Sequence, residues 1–149
     1  MVKRGESKNI YFPEKLLVMR REAEAWLKQS YADLKTAKDC FEDENYYATA
    51  FFCQQAVEKA LKAMYIIVRK DYPLRTHNLL ELAREVYADE KILKIARELT
   101  PEFVISRYPD AANGIPAELY DRDKAERILL MTEEFFKWLK EKLKNFSEK

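Results

Sequence analysis

The chain has 149 residues, with 27 Lys and Arg against 26 Asp and Glu for a net charge of +1. That length suits one domain, and the balanced charge excludes the global pull on polyphosphates that a strongly basic protein exerts. Only two glycines, Gly5 and Gly114, are available for hairpin turns, and Gly and Pro are scarce between residues 14 and 72, so the expected class is all-α.

Residues 1–19 read as a leader or docking arm, polar up to Ile10-Tyr11-Phe12, with Pro13 in the first turn of a helix holding Leu16, Leu17 and Met19. The helical domain is expected over 20–149. Its first main helix, about 20–43, places Ala23, Leu27, Ser30, Leu34, Ala37 and Phe41 on one face. Asp43-Glu44-Asn45 breaks it, and Asn45 is the candidate N-cap of the next helix.

The second helix, 46–69, is the most apolar element. Tyr47, Ala50, Gln54, Val57, Leu61, Met64 and Val68 recur in steps of three and four, the seam of a buried helix. Cys53, Ala56, Ala60, Ala63 and Ile67 form a second, mostly small row that lets a neighbour approach closely. Gln55, Glu58, Lys59 and Lys62 collect on a polar strip, with Glu58 and Lys62 spaced for an i,i+4 ion pair. Gln54 interrupts the seam, so it needs hydrogen-bond partners in the bundle or across an interface. This group has a ligand-binding reading, and a plainer one of core satisfaction beside a solvated strip.

Asn78 with Glu81 forms a candidate capping box for a third helix of about ten residues, and Asp89 a candidate cap for a fourth. Thr100-Pro101-Glu102 reads as a fresh start, with Thr100 as N-cap and Pro101 in the first turn. The interval Tyr108–Tyr120, with Pro109, Asn113-Gly114 and Pro116, is the longest irregular stretch. Asp121 caps a last helix whose Ala125, Ile128, Thr132, Phe135, Leu139 and Phe146 continue the apolar face. The expected architecture is an antiparallel bundle of four main helices plus short ones.

No apolar run approaches the roughly 18 residues of a membrane span, and no signal-type stretch follows the charged N-terminus, which points to a cytoplasmic protein. Cys40 and Cys53 fall inside helices without disulfide or zinc spacing and read as reduced core thiols. No Gly-rich phosphate loop, metal-ligand pattern or cofactor motif is present.

Two constellations carry chemistry. His77, the sole histidine, follows Arg75 at a helix start, where amides and the helix dipole favour an anion; its plainer role is to close the turn. Arg107, Tyr108 and Asp110 form the second: a guanidinium suits phosphate and a tyrosine can stack on a base. The structural alternative is an Arg107–Asp110 pair pinning the loop, with Tyr108 packed in the bundle.

Ala50-Phe51-Phe52, then Gln54 through Ala63 (QQAVEKALKA), then Thr76-His77-Asn78-Leu79, and finally Ser106-Arg107-Tyr108-Pro109-Asp110 with Tyr120 before the last helix, resemble the HEPN domain family over about residues 20–145. The resemblance implies a helical bundle that dimerises and binds a nucleotide or RNA phosphate. It further implies a two-component, toxin–antitoxin-like pairing with a minimal nucleotidyltransferase. Active HEPN ribonucleases resemble one another in an Arg followed by His after four to six residues near the last helix. Here no His follows Arg107, so no residue is assigned as catalytic. Two alternatives stand beside the binding reading. One is a metal-independent ribonuclease with a site rearranged from Arg107, His77 and Asp110; the other is a homodimeric interaction scaffold.

Overall fold

The computed structural model describes residues 12–147; Ile10 and Tyr11, to which a docking role is assigned above, lie outside the described residues. Helix α1 begins at Phe12 and runs unbroken to Glu42. Residues 12–19, placed in the leader by the sequence, are therefore its first two turns. The chain offers no Gly or Pro between residues 14 and 42 to interrupt it. Met19 and Ala23 are buried with Ile66 in a small satellite core beside Trp26 and Ile67.

Helix α2 spans Tyr46–Arg69, the range the sequence predicts. Glu44, at φ 62, turns the chain back from α1. Phe41 and Tyr46 meet edge-on at 5.8 Å at that corner, while Met19 meets Ile66 at the far end, so α1 and α2 are antiparallel. The last helix, Arg122–Ser147, also opposes α1: Arg122 lies over Phe41, Lys38 reaches Glu133 at 3.5 Å, and Tyr31 packs on Phe136. It thus runs in the same direction as α2, and the crossover between them carries five shorter helices. These are α3 (Leu79–Glu85), α4 (Glu90–Leu99), α5 (Glu102–Ile105), α6 (Pro109–Ala112) and α7 (Pro116–Leu119), which makes the last helix α8.

No strand occurs among the described residues, and α1, α2, α4 and α8 are the main helices of the all-α bundle. Helix α4 buries Ile92, Ile95, Ala96 and Leu99 and is tied to α8 by Lys91–Glu134 at 2.9 Å. The core is centred on α2, where Cys53, Ala56, Ala60, Leu61 and Ala63 are fully buried. Burial pushes the Cys53 thiol up to about 12, which keeps it a protonated packing group.

The caps divide into those that hold and those that do not. Asn78 accepts from the Leu80 and Glu81 amides, but its own amide donates to Thr76 Oγ1 and not to Glu81, so the expected capping box is only half formed. Asp89 accepts from Ile92, and Asp121 from Lys124. Asn45 makes no side-chain cap; its carbonyl instead accepts from the Thr49 amide and hydroxyl. Thr100 does not cap α5 either. Its hydroxyl donates to Ala96 O and accepts from the Leu79 amide, so it closes α4 while tying down the start of α3. The stretch read as irregular contains α6 and α7, each opened by a proline whose fixed φ suits a first turn; Asn113, at φ 56, ends α6.

Candidate functional site

The polar strip of α2 is not a solvated face. Gln54, Glu58 and Lys62 are buried, at 0%, 4% and 7% exposure, because α1 and the chain before α3 close over them. The expected ion pair is present, with Lys62 Nζ 3.1 Å from Glu58 Oε2 and lying over the Trp26 ring. Gln54 finds its partners within the bundle: its amide nitrogen donates to Glu58 Oε1 and to the His77 carbonyl, each at 3.2 Å, and its oxygen accepts from Gln55. Lys59 turns the other way, to Asp33 on α1.

His77 completes this network from outside. Its Nδ1 lies 3.0 Å from Glu58 Oε1 and 3.2 Å from Oε2, while its side chain remains 56% exposed. The imidazole stacks on Phe103, ring centroids 3.8 Å apart and planes 17° from parallel. Backbone, Nδ1 and ring face are therefore all anchored.

Phe103 is the element that joins the two constellations. The Arg107 guanidinium sits 4.7 Å from the Phe103 centroid, 4.6 Å from Phe51 and 4.7 Å from Tyr108. Its Nε donates to the Phe103 carbonyl at 2.9 Å, one helical turn back. The other guanidinium N–H groups have no acceptor among the described residues. His77 and Arg107 thus both pack on Phe103, and the fold brings them to one exposed face. A cation over several rings is held in orientation by the ring quadrupoles while its edge stays free for an anion.

The short helix that presents Phe103 and Arg107 is itself pinned. Tyr120, just before α8, donates its phenol hydrogen to Glu102 Oε1, and both residues are buried. Burial raises the Glu102 carboxyl above the usual range, which the phenol bond and nearby Lys124 partly offset. Burial, then the same hydrogen bond, raises the Tyr120 phenol. Lys124 Nζ lies 4.2 Å from the Tyr120 ring centroid.

The remaining candidates are less engaged. Arg75 is exposed and makes no hydrogen bond or ion pair among the described residues. The amides expected to cradle an anion beside it are already used, by Thr76 Oγ1, Thr100 Oγ1 and Asn78 Oδ1. Asp110 accepts from the Ala111 amide at the start of α6, and no ion pair joins it to Arg107 among the described residues. Tyr108 is 47% exposed, not packed in the bundle.

Two residues of this face escape the sequence reading. Phe103 could have been found from its position four before Arg107, the helical spacing that sets a cation over a ring. Glu58 as partner of His77 leaves no local signal, since 19 residues separate them.

Comparison with known proteins agrees with this architecture. The chain is 29% identical over 136 residues to a protein of Methanocaldococcus jannaschii named "Putative toxin MJ1304", covering 82% of this chain and 88% of that one. The crystal structure of TT1696 from Thermus thermophilus superposes with a TM-score of 0.73 at 28% identity, over 81% of this chain and 98% of the other. That of ST0689, described as an archaeal HEPN homologue, gives a TM-score of 0.69 at 28% identity, over 81% and 97%. Residues 23–143 match the model of the HEPN domain, and the chain belongs to that family.

Proposed function

We propose that the chain binds a nucleotide or RNA phosphate on the face shared by Arg107 and His77. In this reading it works in the cytoplasm as the HEPN half of a two-component, toxin–antitoxin-like system with a minimal nucleotidyltransferase. The observation that carries the binding reading is the stacking of both His77 and Arg107 on Phe103. The guanidinium offers unused donors to a phosphate, and the exposed Tyr108 ring offers a surface on which a base can stack. With a net charge of +1, attraction to nucleic acid must be local, and these groups make it local. The similarity to a protein named a toxin supports the two-component setting.

Fluorescence anisotropy with a labelled single-stranded RNA decamer tests the binding. Affinity should fall as salt rises, because phosphate contacts release counterions. Arg107→Ala should weaken it by roughly 1–3 kcal/mol. An Arg107→Ala protein that binds as well as the native one would remove this face from consideration.

A second reading, metal-independent RNA cleavage, is favoured by one observation: the only histidine has a carboxylate behind it and shares Phe103 with an arginine. It ranks below binding because cleavage needs a proton acceptor and a proton donor, and a guanidinium supplies neither. Robust cleavage by pure protein in EDTA, lost in both His77→Ala and Arg107→Ala, would promote it.

We also expect a twofold homodimer. Tyr47, Val104, Ile115 and Leu119 are exposed apolar residues on α2, α5 and the α6–α7 region, which pack against one another. Light scattering at micromolar concentration should give twice the 17.7 kDa chain mass; a monomer contradicts this.

A further inference from the structure

Resting on the nucleotide-site reading above, we propose that Glu58 is a positioning residue that holds His77 as the Nδ1–H tautomer, so that Nε2 offers a lone pair to a sugar hydroxyl of the bound ribonucleotide. An ionised carboxylate only accepts hydrogen bonds. Glu58 sits in an ion pair with Lys62, so the Nδ1 atom 3.0 Å from its Oε1 must carry the hydrogen. In neutral imidazole the other nitrogen is then an acceptor.

The surroundings make this assignment one-sided. Gln54 donates to the same carboxylate oxygen and to the His77 carbonyl, which fixes the residue's height along α2. Phe103 fixes the ring plane. The charged groups around the imidazole are Glu58 and Lys62 on α2, Arg107 across Phe103, and Arg75 two residues earlier; among the described residues only Glu58 bonds the ring. The arrangement is a buried carboxylate acting on solvent through a half-exposed ring. Arg107 supplies donors to the phosphate, and Nε2 supplies an acceptor that a ribose hydroxyl can satisfy and a deoxyribose carbon cannot.

The single histidine gives one imidazole spectrum, so long-range 15N–1H correlation, recorded where the ring is neutral, reads the tautomer directly in the native protein. We expect the Nδ1–H form; a dominant Nε2–H form, the preference of free histidine, overturns the role of Glu58. Anisotropy with RNA and DNA decamers of the same sequence reads the consequence. RNA should bind about fivefold more tightly, the weight of one neutral hydrogen bond. In Glu58→Leu with Lys62→Met, which removes the buried charges together, that ratio should fall. A purely structural Glu58 would instead weaken both strands alike. Equal native affinity for both strands overturns the hydroxyl contact and leaves the phosphate site standing. Absence of binding to either strand overturns the site itself, and the tautomer measurement still decides what Glu58 does.

Discussion

Glu58 and Glu102 are both buried carboxylates, at 4% and 8% exposure, yet the bundle handles them in opposite ways. Glu58 is surrounded by donors: the Lys62 ammonium, the Gln54 amide and the His77 imidazole. Glu102 takes a single phenol hydrogen from Tyr120, and no lysine or arginine forms an ion pair with it among the described residues. The first arrangement carries a neutralised charge and reaches solvent through an exposed ring. The second is closed, linking α5 to the entry of α8, and burial favours its proton. One positions an exposed imidazole; the other positions the helix on which Phe103 and Arg107 stand.

Breaking the first pair should have the largest effect. Glu58→Ala leaves the Lys62 ammonium buried without its anion, a situation that costs about 3–5 kcal/mol. Glu58→Leu combined with Lys62→Met should recover most of that, since apolar groups of similar volume replace a buried pair at little cost. Urea denaturation of the three proteins measures both. A double variant as unstable as Glu58→Ala would mean the charges themselves, not their imbalance, hold α2 in place.

The second pair should respond less, and with a pH dependence. Burial raises the Glu102 carboxyl above its unfolded value of about 4.3, so the folded state holds that proton more tightly. Its contribution is therefore fully present below that pH and is lost as pH rises through the folded value. The Tyr120 hydrogen bond favours the ionised carboxylate and offsets part of the loss. Tyr120→Phe should cost roughly 1–3 kcal/mol near neutrality and less at acid pH. Urea midpoints from pH 4 to 8 check the sign: a penalty that shrinks as pH rises would show that the phenol does not serve the carboxylate.

The two pairs also mark how far the sequence could be read. Glu58 and Lys62 are four residues apart on one helix, so their ion pair follows from helical geometry alone. What that spacing cannot convey is burial. Charged residues on a strip look solvated until another element covers them, and here α1 and the segment before α3 do so. The bounds of α2 and the caps at Asn78, Asp89 and Asp121 were legible because they depend on nearest neighbours. Thr100 was misread because its hydroxyl faces two helix ends at once, and only the tertiary fold selects between them. Arg75, Arg107, Tyr108 and Asp110 were all candidates by residue type. Phe103, an unremarked aromatic in a four-residue helix, decides which of them share a face with His77.

The smallest stability effect should come from His77. His77→Ala removes a ring that is largely exposed, one hydrogen bond to Glu58, and a stack on Phe103. Glu58 keeps both Lys62 and Gln54, so no buried charge is left uncompensated. The cost should be about 1 kcal/mol, well below that of Glu58→Ala. If so, the anchoring of His77 by backbone, ring face and Nδ1 exceeds what the fold requires of it. Orientation of its free nitrogen is then the remaining reason for the arrangement. A loss in His77→Ala comparable to that in Glu58→Ala would place the imidazole inside the structural network and leave Arg107 as the site's principal contact.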